Sequence, residues 1–312
     1  MVLCFIALPI FAILAIFSAK YRRLTVESWK CLWTTLTLRP CEAGLDQRIR
    51  AKIAGPLFSA SPKIGGFVFK HFSLLSWIFV VLMFASTAGV VWGGYNFYLY
   101  GNCNGPAADG FCVFDPANLN GASSTSTLAE CSVGEKNPSS LFLDSFEPEL
   151  FVSSALPWMT SEDTLTFVGC FNCPYTRKAW PLVYTASMKH NATIVFAHMA
   201  LRDEDLPISF VLESVRGTPK YWELIDALFN TSINSTRTIE GLVAAAESVG
   251  ISKAQVDAAL ASQEIKDVVL AQQVSLHTVG IYGTPTVIVD DEAYVGPKPA
   301  RVYDRLAKSV SK

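Results

Sequence analysis

Two stretches of the chain are apolar without interruption by charge, residues 1–19 and Phe72–Tyr100. A helix needs roughly 20 apolar residues to cross a bilayer. The pattern therefore predicts transmembrane helices at 1–19 and 72–95, joined by a loop at 20–71. Residues 101–160 are rich in Gly, Ser, Asn and Pro ("NLNGASSTSTLAE", "VGEKNPSS"), the composition of a linker. From Thr164 onward the periodicity becomes regular. "TLTFVG" is a short run of β-branched and aromatic residues, a buried strand. "PYTRKAWPLVYTASMKH" is helical and opens with Pro174 in its first turn. "ATIVFAHMAL" is a second strand, and the β-α-β order predicts parallel pairing. A helical section follows across about 203–279. In it "PKYWELIDALF" places Trp222, Ile225 and Phe229 on one face, and Gly250 closes another helix. "IYGTPTVIVDDEAYVG" then reads as strand, turn and strand, and "PARVYDRLAKSV" as a last helix.

Charge gives this layout a direction. The 312 residues carry 25 Lys and Arg against 27 Asp and Glu, a net charge of −2 that argues against a nucleic-acid partner. Loop 20–71 holds all ten Lys and Arg of the first hundred residues, and no Lys or Arg follows it until Lys136. By the positive-inside rule the loop is cytoplasmic and the C-terminal part extracytoplasmic, which predicts a multi-pass protein of the cell membrane with the lipid bilayer as a partner. The first apolar run has its basic cluster, "KYRR", after it instead of before it, so it reads as a retained helix and not a cleaved leader. Trp92, Tyr95, Phe97, Tyr98 and Tyr100 suit an aromatic belt at the outer interface. Asn191, Asn230 and Asn234 each begin an Asn-x-Ser/Thr sequon on the extracytoplasmic side and are glycosylation candidates.

The eight cysteines divide by compartment. Cys4 lies in the membrane, and Cys31 and Cys41 on the reducing side, with spacing unlike that of a zinc site. Cys103, Cys112, Cys131, Cys170 and Cys173 lie outside, where disulfides persist. Their odd number leaves at least one without a partner in the domain. Cys103 and Cys112 bracket the loop "CNGPAADGFC" and are the candidate structural disulfide.

Three segments, "FNCPYTRKAWP", "KYWELIDALF" and "GIYGTPTVIVDDEAYVG", carry a resemblance to the thioredoxin superfamily, more closely to DsbA-like thiol–disulfide oxidoreductases. The resemblance covers about 164–310. It implies an α/β thioredoxin-like fold with a helical insertion, here preceded by the two transmembrane helices, with the domain over 161–312. It also implies a cis bond between Thr284 and Pro285, in a loop that presents backbone to an extended substrate. The family's helix-opening motif is C-P-x-C, and Cys173-Pro174-Tyr175-Thr176 matches it with Thr in the last place. Pro181 stands eight residues after Cys173, where thioredoxin has a helix-kinking proline. Cys173 thus takes the nucleophile's position, and Pro174 and Tyr175 join Thr284 and Pro285 as substrate-binding candidates. The buried acid that the family places six residues before the nucleophile is replaced by Phe167, so proton transfer needs another group.

The residues independently favour Cys173, because the start of a helix stabilises a thiolate. Cys170, three residues upstream, admits several readings. It resolves Cys173 as a shifted C-F-N-C pair. It makes a structural bridge to Cys131 and leaves Cys173 a monothiol. Or both cysteines bind a soft metal, for which few further ligands are at hand. Arg177 and Lys178 are either helpers of the thiolate or a solvated helix face, and His277 a packed or surface residue. The favoured function is thiol–disulfide exchange on secreted or membrane proteins through Cys173 and Cys170, recharged by an unidentified redox partner, with no cofactor and no resident metal. Its competitors are a non-catalytic peptide-binding module with a structural Cys170–Cys173 disulfide, and a metal carrier.

Overall fold

The structure, a computed structural model, describes residues 22, 26, 29, 30, 33, 61–105, 111–116, 131, 143, 146–152 and 164–311. The predicted span at 1–19 and the cysteines at 4, 31 and 41 lie outside these residues. The chain divides into two compact units, Met1–Val91 and Trp92–Lys312.

In the first unit α1 (Pro62–Lys70) opens on a proline at its first turn, where the missing N–H costs nothing. It is followed by α2 (Phe72–Tyr100), 29 residues long and free of charged side chains. Leu74, Trp77, Val81, Leu82, Phe84 and Val91 stand exposed along it. Among the described residues no helix is long and apolar enough to cross a membrane. The side chains at 72, 73, 76, 79 and 80 of α2 lie outside that description.

The second unit is built on a four-stranded sheet, β1 (Thr164–Gly169), β2 (Thr193–His198), β3 (Thr286–Val289) and β4 (Glu292–Val295), in the order β2-β1-β3-β4. β1 runs parallel to β2 and antiparallel to β3, with Thr164 opposite Thr193 and Phe167 opposite Val287. The parallel step is made by α3 (Pro174–His190), and β3–β4 is a hairpin turning at Asp290 in the left-handed region. Nearly every strand residue is buried, which is why the strands read as continuous apolar runs and not as alternation.

The helical insertion comprises α4 (Leu206–Ser214), α5 (Lys220–Asn230), α6 (Ile233–Thr236), α7 (Ile239–Ser248), α8 (Lys253–Ala261) and α9 (Gln263–Thr278). Hydroxyl N-caps at Ser232, Thr238, Ser252 and Ser262 start four of these helices. One core joins sheet and insertion: Trp180 stacks on Phe229 at 5.1 Å and meets Phe167 at 5.5 Å, and Phe171 meets Phe229 at 4.6 Å.

The last helix, α10 (Ala300–Ser309), packs along α3 and also holds the end of α2. Arg301 donates to the Phe97 carbonyl at 2.9 Å and Arg305 to that of Leu99. Two cations thus satisfy carbonyls at a helix C-terminus, where its dipole is negative. The next residue, Gly101, has φ +74°, and a Cβ there would lie 2.5 Å from Pro299 Cδ. The expected linker at 101–160 accordingly begins packed against the domain. Its Cys103–Cys112 disulfide is formed, with Cα atoms 5.2 Å apart.

Candidate active site

β1 delivers the chain into a four-residue turn, Cys170-Phe171-Asn172-Cys173, closed by the Cys173 N–H donating to the Cys170 carbonyl at 3.1 Å. Phe171, at the apex, is fully buried against Phe196, His198 and Phe229 and anchors the turn. Cys173 is the N-cap residue of α3, in extended conformation, with Pro174 following in the first turn. Thr176, the residue in place of a second C-P-x-C cysteine, is wholly buried, and its hydroxyl accepts from the Cys170 N–H at 3.4 Å. Its methyl group presses on the end of β1: a Cβ on Gly169 would lie 2.7 Å from Thr176 Cγ2. Thr176 is therefore a packing residue.

The loop before β3 reaches Cys173 from the other side. Thr284–Pro285 is cis, as the resemblance implies, and Cys173 Sγ lies 3.4 Å from the Thr284 carbonyl oxygen. The sulfur is bonded to Cys131, with Cα atoms 5.4 Å apart, inside the usual disulfide range. The Thr284 N–H donates to the Cys131 carbonyl at 2.9 Å. One residue, Thr284, therefore faces both halves of the disulfide, and both sulfurs are buried.

This corrects the pairing expected from sequence. Cys170 is bonded neither to Cys173 nor to Cys131, and it is a buried free thiol. The four-residue turn had made a C-F-N-C bond sterically feasible, yet Cys131, 42 residues before Cys173, takes its sulfur instead. A structural Cys170–Cys131 bridge is excluded by the same bond. Cys170 still packs against both members of the pair.

The surroundings of Cys170 contain a residue the sequence reading did not single out. Asp205, in the 3-10 turn Asp203–Asp205 before α4, is buried. Its carboxylate accepts from Asn172 Nδ2 at 2.5 Å and from the N–H groups of Leu201 and Arg202 at 3.1 and 3.0 Å. Asn172 in turn accepts from Thr236 at 2.7 Å. Burial, and secondarily the Asp205 charge, push the Cys170 thiol up to about 12. A buried acid is thus present beside the cysteines, supplied from beyond β2 while Phe167 fills the core below. The available signal was "RDEDLP", three acids capping a turn before a proline-started helix.

Arg177 does not face the disulfide. It donates to the Phe171 carbonyl at 2.7 Å, to the Phe229 carbonyl at 2.8 Å, to the Thr231 carbonyl and to the Thr236 hydroxyl at 3.3 Å. It ties the start of α3 to the end of α5, and burial lowers its pKa. Lys178 sits over the Tyr175 ring at 5.6 Å. Tyr175, a substrate-binding candidate, is half-buried against the cysteine cluster. His277 is exposed in the last turn of α9, and Asn191, Asn230 and Asn234 are exposed as well. His198 is buried, its Nδ1 2.6 Å from the Ser209 hydroxyl, and burial drives its pKa down to about 4. Among the described residues no group of three or more His, Cys, Asp and Glu is arranged to hold a metal ion.

Comparison of the sequence with curated proteins finds no match. Among solved structures, a thioredoxin-like oxidoreductase from Silicibacter pomeroyi aligns at 20% identity over 55% of this chain and 96% of its own, with a TM-score of 0.46. The catalytic domain of Proteus mirabilis ScsC aligns at 16% identity over 55% and 98%, with a TM-score of 0.47. The thiol-disulfide exchange protein alpha-DsbA2 from Wolbachia pipientis aligns at 13% identity over 60% and 99%, with a TM-score of 0.43. Residues 210–307 match the DsbA-like thioredoxin domain family, a segment that takes in most of the helical insertion, the Thr284–Pro285 loop, the β3–β4 hairpin and most of α10. The chain thus contains a DsbA-like thioredoxin domain, whose matched part supplies one wall of the cysteine site.

Proposed function

We propose that this protein is a membrane-anchored thiol–disulfide oxidoreductase, with Cys173 as its exchanging sulfur and its DsbA-like domain on the extracytoplasmic side. One observation carries the reading: Cys173 caps the start of α3, lies 3.4 Å from the Thr284 carbonyl and is already in a disulfide. Cys131–Cys173 is the oxidised form. A thiolate of a secreted or membrane protein attacks Cys173 Sγ, and Cys131 leaves with its electron pair and takes a proton. A second substrate thiolate then attacks the substrate sulfur, and Cys173 leaves as a thiolate favoured by the helix N-terminus. The substrate dithiol becomes a disulfide and the protein a dithiol, which a disulfide-bearing redox partner reoxidises. Run in reverse, the same steps reduce a substrate.

The anchor rests on the charge-free length of α2, its exposed apolar side chains and the basic loop before it. A helix apolar on all faces has no soluble surface to present, and lipid is the solvent that suits it. Arg301 and Arg305 bond the carbonyls of Phe97 and Leu99 at the C-terminal end of α2, which supports a short connection between helix and domain.

The burial of both sulfurs favours a second reading, a peptide-binding module in which the disulfide is structural. Alkylation and mass spectrometry of the detergent-solubilised chain across glutathione redox buffers separates the two. Conversion of Cys131–Cys173 between disulfide and dithiol at an attainable potential is the expected result. A bond that stays intact until the domain unfolds would overturn the enzymatic reading.

A further inference from the structure

We propose that the loop closed by Cys103–Cys112 is a second membrane contact, which seats Phe111, Val113 and Phe114 in the outer interface of the bilayer beside the end of α2. The inference rests on α2 being the membrane anchor, and it adds a lipid-binding surface that the anchor alone does not require.

Phe111, Val113 and Phe114 are 77%, 64% and 45% exposed, three large apolar side chains within four residues. The surface of a soluble domain rarely keeps such a patch unless something covers it. The loop that carries them is held in place. The Cys103–Cys112 bond closes it, and buried Asn96 of α2 donates from Nδ2 to the Cys103 carbonyl at 2.9 Å. Two glycines of α2 allow the close approach. A Cβ on Gly93 would lie 3.6 Å from Cys103 Cβ, and one on Gly94 3.4 Å from the Phe114 ring. Phe114 also stacks on Phe97 at 5.8 Å, and Arg301 of α10 lies over the Phe97 ring at 4.8 Å. Loop, helix end and last helix are therefore packed together.

The partner follows from where the loop sits on the helix. Trp92, Tyr95 and Tyr98 share one face of α2 by helical spacing, and all three are exposed. Gly93, Gly94, Asn96 and Phe97 share the opposite face, against which the loop is packed. Residues 92 to 98 rise only about 9 Å along the axis, so the loop lies at the level of the three exposed aromatics. It brings Phe111, Val113 and Phe114 to the side where the helix itself offers two glycines and a buried asparagine. Helix and loop together surround this level with aromatic and apolar groups, the pattern of an interfacial belt. Residues 101–116 include no Lys or Arg, so the contact is apolar burial and not attraction to anionic headgroups.

Carbene labelling of the full chain in phosphatidylcholine vesicles tests this. A diazirine reagent dissolved in the acyl phase is photolysed, and labelling is read by mass spectrometry residue by residue, each normalised to the denatured chain. Phe111, Val113 and Phe114 should label within about threefold of Trp92 and Tyr95. They should label at least about tenfold more than Val274, which is 62% exposed on α9 and serves as the apolar side chain outside the belt. Replacing part of the lipid with phosphatidylglycerol should leave these ratios unchanged. A weakly labelled loop beside a strongly labelled α2 at 81–91 overturns the inference and leaves the anchor standing. So does loop labelling that needs phosphatidylglycerol. Loop labelling that appears only when the chain is diluted in lipid assigns the patch to a second copy and overturns the inference too. Absence of label from α2 itself sinks the anchor and the inference together.

Discussion

Cys170 gives the sharpest quantitative test of the site, because in the oxidised chain it is a free thiol beside a disulfide. Desolvation is the larger cause of its shift from 9.0 to about 12, with the Asp205 carboxylate second. At pH 8 a thiol titrating at 9.0 is about one-tenth ionised, whereas one at 12 is ionised in about one molecule in ten thousand. Only the thiolate reacts, so alkylation of Cys170 should be about a thousandfold slower than in the denatured chain. Shielding by burial would slow the reaction as well, and the pH profile tells the two apart. A shielded thiol of ordinary pKa gives a slow rate that levels off above pH 9. A thiol raised by burial and charge gives a rate that climbs tenfold per unit through pH 10 and beyond. The assay is pulsed iodoacetamide labelling of the oxidised chain, with quantification of the peptide containing Cys170. Asp205→Asn removes a charge and an acceptor that both oppose ionisation, so it should raise the rate without reaching that of an exposed thiol. A plateau near pH 9 in the native chain, or an Asp205→Asn rate equal to wild type, would refute the account of this pocket.

Other consequences can be checked on the same preparation. His198 is buried with its pKa depressed from 6.5 to about 4, so its neutral form stabilises the fold fully above pH 6.5. That stability should fall by about 3 kcal/mol as the pH drops from 6.5 to 4, where the unfolded chain binds a proton the folded one refuses; a His198→Gln chain should show a flatter dependence in thermal unfolding. Gly169→Ala drives a methyl to within 2.7 Å of Thr176 Cγ2 and 2.9 Å of the Phe167 ring. It should cost about 1–3 kcal/mol, and the double variant with Thr176→Ser, which removes that Cγ2, should recover part of the loss in melting temperature. Phe171→Ala empties the centre of an aromatic cluster and should cost about 3–5 kcal/mol, read as a lower melting temperature and faster reduction of Cys131–Cys173. Arg305→Ala removes a cation from the last carbonyls of α2 and should cost about 1 kcal/mol, seen as faster hydrogen exchange at residues 97–101.

The parts of the domain legible in the sequence are those whose cause is local. β1 was marked by "TLTFVG" and β3 by Thr286–Val289, because a strand buried on both faces has to be apolar throughout. The start of α3 was marked by Pro174, and the insertion helices by the apolar face of Trp222, Ile225 and Phe229 and by the closing Gly250. The Thr284–Pro285 loop was legible through resemblance, since "GTPT" before a strand is a short motif read in one place. Cys103–Cys112 closes over a separation of nine residues, near enough for its Gly- and Pro-rich loop to announce it.

The chemistry at the centre was harder to read because it is assembled from distant pieces. Cys131 stands in a Ser- and Gly-rich stretch whose composition signals a linker, and composition says nothing about where one residue of a linker is held. Three residues of C-x-x-C spacing naturally suggested a bond across the turn, whereas the observed bond spans 42 residues. Asp205 was obscured in the same way. It lies 33 residues from Asn172 and reads, locally, as one of three acids before a helix. What sequence did provide was the vacancy: Phe167 where an acid was expected and Thr176 where a cysteine was expected. The structure brings Asp205 from beyond β2 to the side of Cys170 and bonds Cys131, from before β1, to Cys173. Displacing the two partners from the motif has a physical consequence. A C-P-x-C cysteine is fixed on the same helix as its nucleophile. Cys131, on a separate segment, is held instead by its bond to Cys173 and by the Thr284 N–H.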